Sequence, residues 1–287
     1  MFNYQNNSAE ITFLLQILAF MPKRVNVRCM TLGRFEGKRI LITGGAGGIG
    51  GQIARQFAEQ GGKVGILDTN TSAIKSIVSE IVSSGAFATG EQVDVRDHIA
   101  VGQVMNKVAK TFGGIDVLVT AAGGSLGTPR DLNEISSADL DLVLDVNIKG
   151  TFNCAKAVIP FMKNAGGGSI ITFSSIGGRS ASPVTGVPYA AAKAAILGLT
   201  RRLAKEVGEF NIRVNAIAPG LFFTDRLEGM FNQMSASERS EVLTAIPLGR
   251  VPTLKECADP VLFLASEESS YITGIVLDVN GGRLMPN

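Results

Sequence analysis

The chemistry-bearing residues with the most suggestive spacing are Tyr189 and Lys193, in the run Tyr-Ala-Ala-Ala-Lys. Residues four apart share one face of a helix, and Pro188 immediately before them suits a helix's first turn. A phenol with an ordinary pKa of about 10 must lose about three units to exchange protons near neutrality, a shift worth about 4 kcal/mol. One ammonium about 4 Å away at an effective dielectric of about 20 supplies that much. The pair is therefore sufficient for acid/base work, although the same spacing also describes a solvated helix face.

A second candidate stands earlier. Thr43-Gly44-Gly45-Ala46-Gly47-Gly48-Ile49-Gly50 follows a β-branched run directly and opens a helical pattern containing Ile53, Ala54 and Phe57. Glycines at such a turn let the backbone approach a pyrophosphate, whose charge is met by unpaired N–H groups and the positive end of the helix dipole. The flanking strand and helix favour a dinucleotide cradle over a merely tight turn. Asp68 closes the next strand, where a chain of this topology presents an acid to the adenosine ribose hydroxyls. It also qualifies as a helix cap, as do Thr69 and Thr71. A 2′-phosphate about 5 Å from Asp68 at an effective dielectric of about 20 would be repelled by roughly 3 kcal/mol per unit charge. Neither the glycine turn nor the residues just after Asp68 hold a Lys or Arg, the next being Lys75. The expected cofactor is NAD, with NADP disfavoured.

These residues need a frame. Short β-branched runs at Arg39 to Thr43, Lys63 to Asp68, Ala86 to Val93, Asp116 to Thr120, Ser169 to Ser174, Ile212 to Ile217 and Ile275 to Val279 alternate with helix-length segments such as Thr71 to Ser84, Ile99 to Phe112 and Val146 to Lys163. The alternation predicts the α/β class: a Rossmann-type, doubly wound, parallel seven-stranded sheet with helices on both faces. Residues 35–287 are expected to form a single catalytic domain and residues 1–34 a loosely ordered N-terminal extension. Its apolar run, with Ile11, Leu14, Leu15 and Leu18, is roughly half the ~20 residues needed to span a bilayer. No basic residue precedes it as in a secretory signal, and Glu10 is out of place in a mitochondrial transit peptide. A loosely docked extension, or a true start at Met21 or Met30, accounts for it.

Composition narrows the partners. At 45% hydrophobic and 18% charged, the 287-residue chain is too apolar for disorder. A formal net charge of +2, with scattered Lys and Arg, gives no footprint for nucleic acid or a membrane, so the expected partner is a small molecule. Cys29, Cys154 and Cys257 are far apart and odd in number, which argues against disulfides and thiolate metal sites and for a reducing, cytoplasmic compartment. The one histidine, His98, has no neighbouring ligands and reads as a surface residue; no metal site is expected.

From Phe35 to the C-terminus the chain resembles the single-domain short-chain dehydrogenase/reductase family. The family's glycine signature corresponds to Thr43 to Gly50, with Gly44, Gly48, Ile49 and Gly50 at the cofactor. Its adenine-contacting acid corresponds to Asp94 with Val95, and its tetrad to Asn147, Ser175, Tyr189 and Lys193. The resemblance implies that Tyr189 is the acid/base and that Lys193 lowers its pKa and binds the nicotinamide ribose. It further implies that Ser175 holds the substrate oxygen and Asn147 positions a relay water. Ser174 competes for the serine role, but Ser175 fits the register better. Pro219-Gly220 and Thr224 resemble the segment that grips the nicotinamide. One departure is Thr120-Ala121-Ala122-Gly123, where the family has Asn-Asn-Ala-Gly or Asn-Ala-Ala-Gly. The missing Asn puts a structural hydrogen bond in doubt, while Ala122 and Gly123 still allow close approach to the cofactor.

The reaction implied is NAD-linked hydride transfer to or from a secondary alcohol or ketone. Leu221 to Leu248 is expected to form a lid, helped by Ser125 to Arg130 and Ser182 to Val187. Their mainly uncharged character points to an uncharged, partly apolar substrate. The alternatives are a 3-oxoacyl carrier-protein reductase using NADPH, against which Asp68 argues, and a nucleotide sensor without chemistry. The family also implies a homotetramer through Val146 to Lys163, Tyr189 to Phe210 and the C-terminal strand. Cys154, within the first of these helices, is expected to be packed rather than reactive.

Overall fold

A computed structural model describes residues 33–181, 185–222, 231 and 235–285. Strand β1 (Arg39–Thr43) sends Ile40 and Ile42 to one apolar cluster and Leu41 to the other, the period-two alternation of a strand covered on both faces. Strands β2 (Lys63–Asp68), β3 (Ala88–Gln92), β4 (Val117–Thr120), β5 (Gly168–Phe173), β6 (Ile212–Pro219) and β7 (Val276–Val279) complete a seven-stranded sheet. Every pairing is parallel. The spatial order is β3-β2-β1-β4-β5-β6-β7, so strand order reverses between β1 and β4. That is where open α/β sheets leave a crevice beyond the strands' carboxyl ends.

Helices α1 (Gly48–Glu59), α2 (Thr71–Ser83) and α8 (Leu254–Ala265) cover one face, with Ile53, Phe57, Ile77 and Val261 in its cluster. Helices α3 (His98–Phe112), α5 (Gly150–Asn164) and α6 (Val187–Val207) cover the other, with Met105, Val158 and Val207. Helices α4 (Ser137–Leu144) and α7 (Ala236–Thr244) lie in the connections. Seven expected strands are found, with ends shifted by two residues at most. Strand β6 runs two residues past the expected Ile217 to a proline. N–H groups along and just past it alternate sides, Ala216 donating to the Ile275 carbonyl just ahead of β7 and Gly220 to that of Val279, so the N–H that Pro219 lacks would point toward β5, where pairing has already ended at Ile217.

Other differences are local. The expected helix from Val146 is a π-helical turn (Asp145–Lys149) leading into α5, and α6 starts at Val187, with Pro188 in its first turn. The cap of α2 is Asn70, which accepts from the Ala73 N–H; Asp68, Thr69 and Thr71 do not cap it. Arg34 hydrogen-bonds Ser266 at 3.2 Å and pairs with Glu268, and Phe35 is buried against Phe57. Residues 1–32 lie outside the described residues, and Cys29 with them. His98 is exposed behind its capping neighbour Asp97.

Candidate active site

Beyond β1 the chain turns so tightly that a Cβ on Gly50 would sit 2.1 Å from the Gly44 carbonyl oxygen, and one on Gly44 would sit 2.7 Å from the Ala122 nitrogen. The glycines thus press the start of α1 onto its own turn and the turn onto the loop after β4. Gly47 precedes α1 with no side-chain cap, and α1 has no acid in its first turn. A Cβ on Gly47 would meet nothing within 4 Å, and Gly47 and Gly48 are exposed. The helix start therefore presents N–H donors with no side-chain cap to open space, which fits a dinucleotide pyrophosphate.

Asp68 faces this turn. Its carboxylate accepts from the Ala46 N–H at 3.2 Å and the Asn70 N–H at 3.1 Å, which holds it at the end of β2 beside the glycines. Asp94, after β3, pairs with Arg96 at 2.6 Å, and the guanidinium holds its carboxyl below the usual range. The adjoining Val95 is buried, and its carbonyl accepts from Asn153 Nδ2 at 2.9 Å. Asn153 anchors this loop from α5. A buried asparagine inside an otherwise amphipathic helix was the only available signal for it.

At the chemical end, Asn147 sits in the π-helical turn, a feature common at functional sites. Its Nδ2 donates to the carbonyls of Val143 at 2.8 Å and Gly124 at 3.0 Å, and its Oδ1 accepts from the Gly124 N–H at 3.0 Å. Gly123 has φ +150°, and a Cβ there would lie 2.5 Å from Asn147 Oδ1 and 3.3 Å from Lys193 Nζ. The loop after β4, the π-helical turn and α6 meet at that point. Thr120, which stands where the family has Asn, is buried, and its Oγ1 has no hydrogen-bond partner among the described residues. Thr43 Oγ1 instead accepts from the Ala122 N–H at 3.3 Å.

The two serines separate cleanly. Ser174 Oγ donates to the Lys193 carbonyl at 2.8 Å and is buried. Ser175 Oγ accepts from the Gly177 N–H at 3.1 Å and faces the Tyr189 phenol, whose proton affinity it reduces. Lys193 is buried; its Nζ donates to the Phe173 carbonyl at 2.8 Å and lies 5.7 Å from the Tyr189 ring centroid. Burial outweighs the Ser175 contact and pushes the Tyr189 phenol up, and it pulls Lys193 down to about 8. The Lys193 ammonium is thus turned to a strand carbonyl, and desolvation disfavours both charged forms.

Gly186, just before α6, packs against the Pro129 carbonyl, which brings two of the expected substrate loops together. Pro219 ends β6 and Gly220 donates to the Val279 carbonyl at 2.8 Å. Thr224, residues 223–230 and 232–234 of the expected lid, and residues 182–184 lie outside the described residues. The flanks of that lid are anchored: Phe222 and Ile246 are buried.

A profile described as enoyl-(acyl carrier protein) reductase matches residues 44–283. The chain is 39% identical over 254 residues to a 3-oxoacyl-(acyl-carrier-protein) reductase of Thermotoga maritima, covering 88% of this chain and 100% of the relative. This protein belongs to the short-chain dehydrogenase/reductase family. It is also 34% identical over 251 residues to the 2-dehydro-3-deoxy-L-rhamnonate dehydrogenase (NAD(+)) of Sphingomonas sp. strain SKA58, covering 88% of this chain and 97% of that one. Among solved structures, a 3-oxoacyl-(acyl-carrier protein) reductase with bound NAD from Brucella melitensis aligns with a TM-score of 0.79 at 34% identity, covering 93% of this chain and 98% of that chain. The protein is accordingly an oxidoreductase of the NAD(P)-dependent kind acting on CH–OH or keto groups. No helix among the described residues is long and apolar enough to cross a membrane.

Proposed function

We propose that the protein is an NAD-linked dehydrogenase that interconverts a secondary alcohol and a ketone on a small or medium, mainly uncharged substrate. The observation that carries the reading is the meeting of Ser175, Tyr189, Lys193 and Asn147 beside a glycine cradle closed by Asp68. When bound, the dinucleotide supplies the hydride acceptor or donor. Tyr189 exchanges the proton at the substrate oxygen, and Ser175 Oγ, already oriented by the Gly177 N–H, donates a hydrogen bond to that oxygen. Lys193 donates to the Phe173 carbonyl beside the Tyr189 ring; its ammonium would favour the phenolate and bind the nicotinamide ribose. Asn147 has both amide N–H groups engaged, so its part is to hold the loop after β4 near Lys193, its Oδ1 retaining capacity to accept from a relay water.

Gly44, Gly48, Ile49 and Gly50 would hold the pyrophosphate, Asp94 and Val95 would contact the adenine, Ala122 and Gly123 would allow close approach to the cofactor, and Pro219 and Gly220, with Thr224 outside the described residues, would grip the nicotinamide. Asp68 would take the ribose hydroxyls and repel a 2′-phosphate. Exposed Phe152 on α5, and Tyr271 and Ile275 ahead of β7, support the homotetramer implied by the family.

The second reading, a 3-oxoacyl carrier-protein reductase, is favoured by the Thermotoga and Brucella relatives. The Brucella protein holds NAD, so preference for NAD does not by itself separate the two. Substrate does. Purified protein assayed with cyclohexanol, a cyclic vicinal diol and an acetoacetyl thioester should turn over an alcohol with NAD. Fast reduction of the thioester with none of the alcohols oxidised would favour the reductase.

A further inference from the structure

The turn that carries Ser175 is held from two sides. On one side it is pressed onto α6: a Cβ added to Gly178 would lie 2.4 Å from the Lys193 carbonyl carbon and 2.6 Å from the Ala194 nitrogen. Ser174 Oγ on the Lys193 carbonyl, and Lys193 Nζ on the Phe173 carbonyl, tie the same two elements at 2.8 Å each. On the other side stands Arg179, which closes the 3-10 turn Ile176–Gly178 through its N–H on the Ile176 carbonyl at 3.0 Å. Its Nη1 donates to Asp278 Oδ2 at 2.7 Å.

Asp278 belongs to β7, where it lies opposite Ala218 of β6. The ion pair therefore reaches from the end of β5 past β6 to the sheet's edge strand. The two side chains are only 19% and 22% exposed. Asp278 Oδ1 is buried without a hydrogen-bond partner among the described residues, and burial pushes its carboxyl up against the pull of Arg179. A partly buried pair with an unmet acceptor is a weak source of stability. What it does supply is a fixed direction, because a planar guanidinium meets a carboxylate in few geometries.

We propose that Arg179 and Asp278 are positioning residues for the reaction assigned above, a reading this inference rests on. They brace the Ser175 turn against α6 so that the Ser175 hydroxyl keeps facing Tyr189. Without the brace the turn is held from one side only, and small displacements of a substrate-orienting group cost rate more than binding.

The test uses the full chain and the alcohol it oxidises best. Arg179→Met should lower kcat by about tenfold or more, with NADH affinity by nicotinamide fluorescence within about twofold of wild type. Arg179→Lys should recover part of the rate, and Arg179→Met placed on Ser175→Ala should cost nothing further, because the residue acts through that serine. Asp278→Asn, nearly isosteric, serves if Arg179→Met folds poorly and should lower kcat several-fold with unchanged NADH affinity. Wild-type kcat in the folded Arg179 and Asp278 variants, equal loss of NADH affinity and rate, or a further loss on Ser175→Ala would each overturn the inference. If Ser175→Ala itself keeps full turnover, it is the reading of the active site that falls, and the brace with it.

Discussion

Helices α1 and α3 both begin beyond strand ends, yet their first turns are completed differently. At α3 the chain supplies its own anion: Asp97 accepts from the Ile99 N–H at 2.9 Å and the Ala100 N–H at 3.0 Å. At α8 a capping box does the same, with Thr253 and Glu256 accepting from each other's N–H groups. At α1 Gly47 offers nothing, no acid follows, and the space over the turn is open. A side-chain cap is worth about 1 kcal/mol, so a helix start that forgoes one beneath open space is suited to an anion from outside the chain; α6, also without a side-chain cap, has Pro188 in its first turn instead. The chemical end follows the opposite rule, with polar side chains drawn out of water and held by named partners.

Breaking the chemical end alone should have the largest effect. Tyr189→Phe removes the exchangeable proton and keeps the ring, so kcat should fall by about 10²- to 10⁴-fold, while NADH titration gives near wild-type affinity. Loss of affinity in parallel with rate would mean that the two ends are not separable.

Next comes a substitution that makes α1 resemble α3. Gly47 has extended backbone (φ −161°, ψ 175°), so Gly47→Asp places a capping carboxylate without strain. Thermal stability should rise by about 1 kcal/mol, and NADH affinity should drop by about 100-fold, the equivalent of roughly 3 kcal/mol of repulsion between carboxylate and phosphate. Unchanged affinity would remove the cradle from the cofactor site.

Lys193 tests the cost of the buried end. Its folded-state pKa, about 8, lies below the ordinary 10.5, so the unfolded chain binds more protons between those values and stability rises with pH across that window. The cost is fully present below about pH 8. Lys193→Met should therefore be more stable than wild type at pH 7, by up to about 3 kcal/mol. Denaturant melts should show the gap narrowing as pH rises from about 8 toward 10. A gap that does not change with pH would contradict a buried ammonium.

Thr120→Val is the smallest change. It replaces a buried hydroxyl without a partner by a methyl of the same shape and should raise stability by up to about 1 kcal/mol in the same melts, with kcat unaltered. A clear loss of stability would show that the hydroxyl is satisfied after all.

The cradle was the more legible half of the site. Glycines at Gly44, Gly47, Gly48 and Gly50 between a strand and an apolar-periodic helix announce a close approach, because the signal is local and lies in backbone freedom. The strands were legible for a related reason: Val117 to Val119 and Ile40 to Ile42 are apolar on consecutive positions, as burial on both faces requires. The choice between Ser174 and Ser175 turned on register, and these consecutive residues just past the end of β5 face different ways, one to the Lys193 carbonyl and one to Tyr189.

What stayed hidden depends on distant packing. Nothing near Arg179 in the sequence points to Asp278, 99 residues on. Asn153 looks like any helix residue until its amide is seen on the Val95 carbonyl. Asn70 capped α2 where Asp68 also qualified, because the helix starts at Thr71 and Asp68 still belongs to β2. The direction of the Tyr189 and Lys193 shifts depends on how far each is withdrawn from water, which spacing alone does not carry. Cys154 was foreseen as packed, and burial pushes its thiol up to about 12.

The most direct test of the account is a titration of the purified protein with NADH and NADPH, followed by nicotinamide fluorescence, on wild type and Asp68→Ala. The account predicts that wild type binds NADH at least tenfold more tightly, on the order expected for one carboxylate facing a 2′-phosphate, and that Asp68→Ala narrows the gap chiefly by strengthening NADPH. Tighter binding of NADPH by wild type, or an unchanged preference in Asp68→Ala, would contradict it.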